Sequence, residues 1–177
     1  MTPLLVAALV FVPMAIEARV SAAHERTLRA QQAIEPADDV IGMMQVAYPG
    51  AFLLMLIEGI VRGAPDAGWL SAGLALFAAA KALKYWAIAA LGSRWTFRVL
   101  VPPGGHRIAT GPYRWLAHPN YIAVAGELTA VAIATGAVIT GPIATLGFIL
   151  LMRRRVAVEE RALAGGPYPL KKYQAGR

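Results

Sequence analysis

Long apolar stretches separated by polar intervals set the pattern of this chain. Met1 to Ile16 is apolar and just long enough to cross a bilayer with tilt. Glu17 to Gln45 follows as a polar segment of mixed charge; its first part, to Gln32, has no Gly or Pro and can continue the helix beyond the membrane until Pro36 breaks it. Val46 to Val61 is a second apolar stretch, interrupted by Pro49-Gly50 and carrying Glu58 near its end. After a turn from Arg62 to Gly68, a third runs from Trp69 to Leu91, with Trp69 and Trp86 as interfacial anchors. Tyr121 to Met152 spans 32 residues, almost all apolar or small. That is too long for one crossing of about 20 residues and short for two, so it predicts a hairpin of two short helices turning near Thr135 to Pro142. A basic tail from Arg153 should stay helical through Leu163 and break at Gly165-Gly166-Pro167.

Composition agrees with a membrane protein: 58% of residues are hydrophobic and 15% charged, against about 25% charged for soluble domains. The expected fold is all-α and polytopic, with five transmembrane helices and a carboxy-terminal hairpin. Residues 1–67 would form a two-helix membrane region and residues 68–177 a core with a polar loop and tail. The first stretch lacks a basic leader and a cleavage site, so it reads as a retained span. Three basic residues lie in Glu17 to Gln45, four in Gly92 to Asn120 and seven from Met152 onward, against Arg62 alone in the opposite loops. This bias puts the amino terminus outside, and the polar loop and tail in the cytoplasm. The net charge of +7 is then an orientation signal and not a nucleic-acid footprint. With no cysteine, thiolate metal sites and cysteine nucleophiles are excluded.

Candidate chemistry concentrates in Gly105 to Tyr121, a polar interval between apolar helices. Proline favours the first position of a helix and pushes the preceding residue out of helical geometry. His118-Pro119 therefore predicts a helix mouth at His118, where unpaired backbone N–H groups favour an anion. A plain helix start with an interfacial histidine is the other local reading. Gly111-Pro112-Tyr113 reads as a turn presenting an aromatic ring. Arg155 and Glu159, four residues apart, share a helix face; they are either an exposed pair or, with Glu160, groups within reach of His118. Glu58 and Glu127 fall inside apolar spans, where an ionisable side chain is a functional candidate. Glu58 can pair with Arg62, whereas Glu127 is expected to face a polar cavity. His24, His106 and His118 show no metal-ligand spacing, and no metal site is expected.

At these residues the chain resembles the isoprenylcysteine carboxyl methyltransferase family of membrane enzymes. The resemblance rests on K-Y-W-A-I-A-A-L-G-S-R-W-T (Lys84 to Thr96), G-P-Y-R-W-L-A-H-P-N-Y (Gly111 to Tyr121) and R-V-A-V-E-E-R-A-L (Arg155 to Leu163). The earlier E-A-R-V-S-A-A-H-E-R (Glu17 to Arg26) is similar to the bacterial branch, which implies a bacterial inner membrane. The resemblance implies S-adenosylmethionine as cofactor, held by Gly105, His106, Arg107, Ile108, Tyr113, His118, Pro119, Asn120, Tyr121 and Glu159. It associates Arg155 with the substrate, a lipophilic or prenylated molecule entering from the bilayer. Many members carry arginine before the His-Pro step, where this chain has Ala117; Arg98 or Arg114 could supply that contact.

The implied reaction is O-methylation of a lipid-like acceptor, with Arg155 orienting a substrate oxyanion. For a phenol or enol acceptor, Glu127 or a histidine would serve as base. Prenylcysteine carboxylates and long-chain alkylpyrones or alkylresorcinols are both candidate acceptors. An NADPH-dependent sterol-type membrane reductase and a non-enzymatic membrane scaffold are the remaining alternatives.

Overall fold

The computed structural model describes residues 3–63, 65–104 and 107–164. Among these residues the chain forms five α-helices: α1 (Pro3–Ala30), α2 (Ile41–Arg62), α3 (Ala67–Leu91), α4 (Pro119–Thr135) and α5 (Thr140–Leu163). No strand forms among them, although one isolated antiparallel bridge joins Ile34 to Val101. The all-α expectation holds, and so does the hairpin: α4 ends at Gly136 in the left-handed conformation, φ 70°, and α5 begins four residues later.

One helix differs from the sequence pattern and one follows it. The second helix starts at Ile41 and not Val46, and it runs through Pro49 without a break. The first helix is continuous to Ala30, because nothing from Glu17 to Ala30 lacks an N–H or favours a turn. The expected break at Gly165-Gly166-Pro167 lies outside the described residues.

Among the described residues, three helices are long and apolar enough to cross a membrane: Pro3–Ala30, Ile41–Arg62 and Ala67–Arg94. Helix α4 has 17 residues, about 25 Å at 1.5 Å per residue against a hydrocarbon core of about 30 Å. Helix α5 meets Arg153-Arg154-Arg155 halfway along. Neither therefore matches α1 to α3 as an independent span, and the two lie against them as a hairpin. Large apolar side chains such as Val46, Ile60, Val61, Ile143 and Leu146 stay exposed, as a lipid-facing surface requires.

The bundle closes on small residues. Helices α3 and α4 share its most extensive contact. At Gly73 an added Cβ would lie 2.5 Å from the backbone nitrogen of Ala134, so only glycine admits this approach. Phe52, Met55, Leu128 and Val131 fill the space between α2 and α4.

Inside this apolar core sits an ion cluster. Lys84 Nζ lies 2.6 Å from Glu17 Oε2 and 3.3 Å from Glu127 Oε1; Lys81 Nζ lies 2.7 Å from Glu17 Oε1 and 3.3 Å from Glu127 Oε1. Tyr48 of α2 donates a further hydrogen bond to Glu127. Two ammoniums and two carboxylates cancel, which is how four charges persist at this depth. Glu17, read from sequence as the start of a polar exterior segment, is instead buried within the bundle. Glu127 faces these lysines and not an open polar cavity, because Lys81 and Lys84 project from α3 directly against α4.

Candidate functional site

The helices alternate in direction, so the ends of α1, α3 and α5 meet the starts of α2 and α4 at one end of the bundle. A cleft opens there, lined by the segment after α3 (Arg94 to Pro102), the segment before α4 together with that helix's first turn (Arg107 to Tyr121) and the last turns of α5. A second cavity, at the opposite end between Pro3, Leu56, Gly59, Leu70 and Ala134, has no titratable side chain in its lining among the described residues.

Sequence and structure agree on the helix mouth. Pro119 is the first residue of α4, and His118 precedes it in non-helical geometry, φ −137° and ψ 64°, with no side-chain cap. The His118 ring stacks on Tyr121, centroids 5.5 Å apart, and its Nε2 lies 3.2 Å from Glu160 Oε1. Asn120 lines the same cleft, and its Oδ1 is buried with no hydrogen-bond partner among the described residues. A buried acceptor left without a donor costs about 1–3 kcal/mol.

Tyr113 is carried by a single 3-10 turn, Gly111–Arg114. Gly111 has φ +56°, and a Cβ there would lie 2.7 Å from Ala90 Cβ, so glycine is required for the turn to seat on α3. Burial, and then the Glu159 carboxylate, raise the Tyr113 phenol above its ordinary value and keep it protonated.

Arg155 is where the structure departs most from the sequence pattern. It is buried, at 5% exposure, and makes no exposed pair with Glu159. Its Nη1 donates to Asp39 Oδ1 at 3.2 Å, its Nη2 to the Phe97 carbonyl, and its Nε to the Tyr121 hydroxyl at 3.0 Å. That hydroxyl in turn donates to Glu159 Oε2 at 3.0 Å. Tyr121 thus stands between the two residues that helical spacing alone would pair.

Of the residues expected to hold a cofactor, Arg107, Ile108, Tyr113, His118, Asn120, Tyr121 and Glu159 line the cleft, together with Arg155. Pro119 does not line it; it is fully buried and sets the helix start. Gly105 and His106 lie outside the described residues. Glu127 is absent from the lining. Of the two arginines proposed to compensate for Ala117, Arg98 lines the cleft, held by Glu35 at 2.9 Å. Arg114 does not; it lies over the Trp115 ring. Arg107 donates to the Ala117 carbonyl at 3.3 Å.

The sequence pattern missed the linker between α1 and α2. Asp39, Glu35 and Ile34 all reach the segment after α3: Asp39 Oδ2 accepts from the Val99 N–H at 3.1 Å, Glu35 pairs with Arg98, and Ile34 bridges Val101. The available signal was an acidic pair, Asp38-Asp39, one residue beyond the helix-breaking Pro36. It lies on the face where basic residues accumulate.

Residues 73–165 match the isoprenylcysteine carboxyl methyltransferase (ICMT) family, a stretch that contains the cleft's α3, α4 and α5 segments. The chain belongs to that family, and so to the integral membrane methyltransferases. It is also 27% identical, over 159 residues, to the uncharacterized protein YpbQ of Bacillus subtilis (strain 168), covering 90% of this chain and 95% of that one. No solved structure matches the chain.

Proposed function

We propose that the chain is an S-adenosylmethionine-dependent O-methyltransferase acting on a lipid-like acceptor that reaches the cleft from the bilayer. The observation that carries the reading is the pairing, in one cleft, of an unsatisfied acceptor at a helix mouth with a carboxylate across from it. Asn120 Oδ1 offers a hydrogen-bond acceptor to a donor group such as an amine or hydroxyl. Glu159, held by Tyr121, offers negative charge to a cation. The start of α4 at His118 offers backbone N–H to a carboxylate. A zwitterionic ligand that is also a sulfonium and carries a nucleoside fits this donor set.

The bound cofactor supplies an electrophilic methyl group on a cationic sulfur. The chain's own part is positioning and exclusion of water. Arg155 uses three of its five N–H groups within the protein, which leaves two to orient an acceptor oxyanion. A carboxylate acceptor such as a prenylcysteine needs no base, whereas an alkylpyrone reacts as its enolate, after the enol proton has been lost. Glu127, paired with two lysines, belongs to the bundle's core, and no proton transfer is assigned to it. The chemistry lies in residues 68–177, on the cytoplasmic face of a bacterial inner membrane, with the amino terminus outside.

Isothermal titration of the detergent-solubilised protein tests the cofactor. Binding of S-adenosylmethionine with no binding of NADPH is the expected result; the reverse would assign the cleft to a reductase.

A further inference from the structure

We infer that Asp39, from the linker between α1 and α2 and outside the family-matched residues, is a positioning residue for the methyl-donor site. It acts through Arg155 and Tyr121 on Glu159. The inference rests on the donor-binding reading above.

Asp39 has both carboxylate oxygens committed and a fully buried side chain. Oδ1 accepts from Arg155 Nη1 at 3.2 Å, and Oδ2 accepts from the Val99 N–H at 3.1 Å. One carboxylate therefore ties α5 to the segment after α3, at the back of the cleft. From Arg155 the contacts continue to the Tyr121 hydroxyl and on to Glu159 Oε2, each at 3.0 Å.

The order of charges gives the relay its direction. A buried guanidinium without an anion is costly, so Arg155 takes its orientation from the nearest buried carboxylate. With Asp39 in place, Arg155 Nε points at Tyr121. The Tyr121 oxygen is then occupied as an acceptor, and its proton is aimed at Glu159. Without Asp39, Glu159 becomes the nearest available anion for Arg155. The two lie four residues apart on one helix and can pair directly. Glu159 would then be neutralised and drawn from the cleft, and a cationic donor would lose its counter-charge. Asp39 thus keeps Arg155 and Glu159 apart.

The remaining linker contacts support the same wall. Glu35 pairs with Arg98 at 2.9 Å, Arg161 pairs with Asp38, and Ile34 bridges Val101. Asp39 is the linker residue whose partner also touches Tyr121.

The test uses the full-length protein in detergent or nanodiscs. S-adenosylmethionine affinity and turnover are measured on the folded fraction of wild type, Asp39→Asn, Tyr121→Phe and the double variant. The expected result is a Kd at least tenfold higher for Asp39→Asn, a similar rise for Tyr121→Phe, and a double variant no worse than the weaker single. Additivity would mean that Asp39 does not act through Tyr121, and would overturn the inference. So would an Asp39→Asn affinity within twofold of wild type, even if its thermal stability fell. Should Asp39→Asn not fold, Asp39→Ser keeps an acceptor for the Val99 N–H and carries the same two outcomes. A wild type that fails to bind the donor removes the proposed function itself. A wild type that binds while Asp39→Asn is unaffected removes only the relay.

Discussion

Lys84 of α3 lies 2.6 Å from Glu17 of α1, with both side chains only 3% exposed. The pair joins the first helix to the family-matched region across the apolar core. With Lys81 and Glu127 it forms a closed set of charges, so no member can be lost without leaving a buried ion unmatched. Lys84→Ala is therefore expected to lower stability by about 3–5 kcal/mol. Replacing all four members by apolar residues of similar size should recover most of that loss. Thermal unfolding in one detergent compares the two; a single variant as stable as wild type would contradict the closed set.

Gly73 makes a second prediction about packing. A methyl group there meets the backbone of α4, at 2.5 Å from Ala134 N and 2.7 Å from Ala130 O. Gly68, in the same helix, has nothing within 4 Å of an added Cβ. Gly73→Ala should lower the unfolding midpoint and reduce turnover, because α4 carries the cleft's helix mouth. Gly68→Ala should leave stability within about 1 kcal/mol of wild type. Equal behaviour of the two would contradict the close approach of α3 and α4.

Much of this architecture was legible in the sequence, for definite physical reasons. The hairpin followed from a 32-residue apolar stretch too long for one span, and the helix mouth followed from Pro119. Helix spacing likewise put Arg155 and Glu159 on one face, but spacing within a helix says nothing of what faces it. Tyr121 from α4 and Asp39 from a linker intervene, and only the tertiary arrangement brings them there. Glu17 was misread for a similar reason. A charge at the end of an apolar stretch looks like an exit from the membrane unless its partner is known. Lys81 and Lys84, three residues apart within α3, were visible in the sequence without their acids.

Asn120 predicts a separation of binding from stability. Its Oδ1 has no partner among the described residues, so Asn120→Leu removes no hydrogen bond of that oxygen to them. Donor affinity should fall about tenfold, corresponding to about 1.4 kcal/mol, within the range for one buried hydrogen bond. The unfolding midpoint should change little. A large loss of stability with unaltered affinity would place the oxygen in the fold and not in the site.

The adjacent acids should behave differently from each other. Glu159 is held by Tyr121 against the cleft, whereas the Glu160 side chain is 55% exposed and meets His118 at the rim. Glu159→Gln removes the counter-charge for a cationic donor and should weaken its binding by tenfold or more. Glu160→Gln should alter affinity less than threefold, as rim ion pairs contribute up to about 1 kcal/mol. Titration of both variants with the cofactor and with its neutral thioether product separates charge from shape. Only the cationic ligand should distinguish Glu159→Gln from wild type.

The central claim is that the cleft between α3, α4 and α5 transfers a methyl group to an oxygen of a lipid-like acceptor. Its most direct test is a labelled-methyl assay, in which purified protein is given S-adenosylmethionine with prenylcysteine and alkylpyrone acceptors in parallel reactions. The account predicts label in the organic phase as a methyl ester or methyl ether with at least one acceptor, lost on Glu159→Gln. Label that never leaves the donor with any lipid acceptor, from protein that binds the donor, would contradict it.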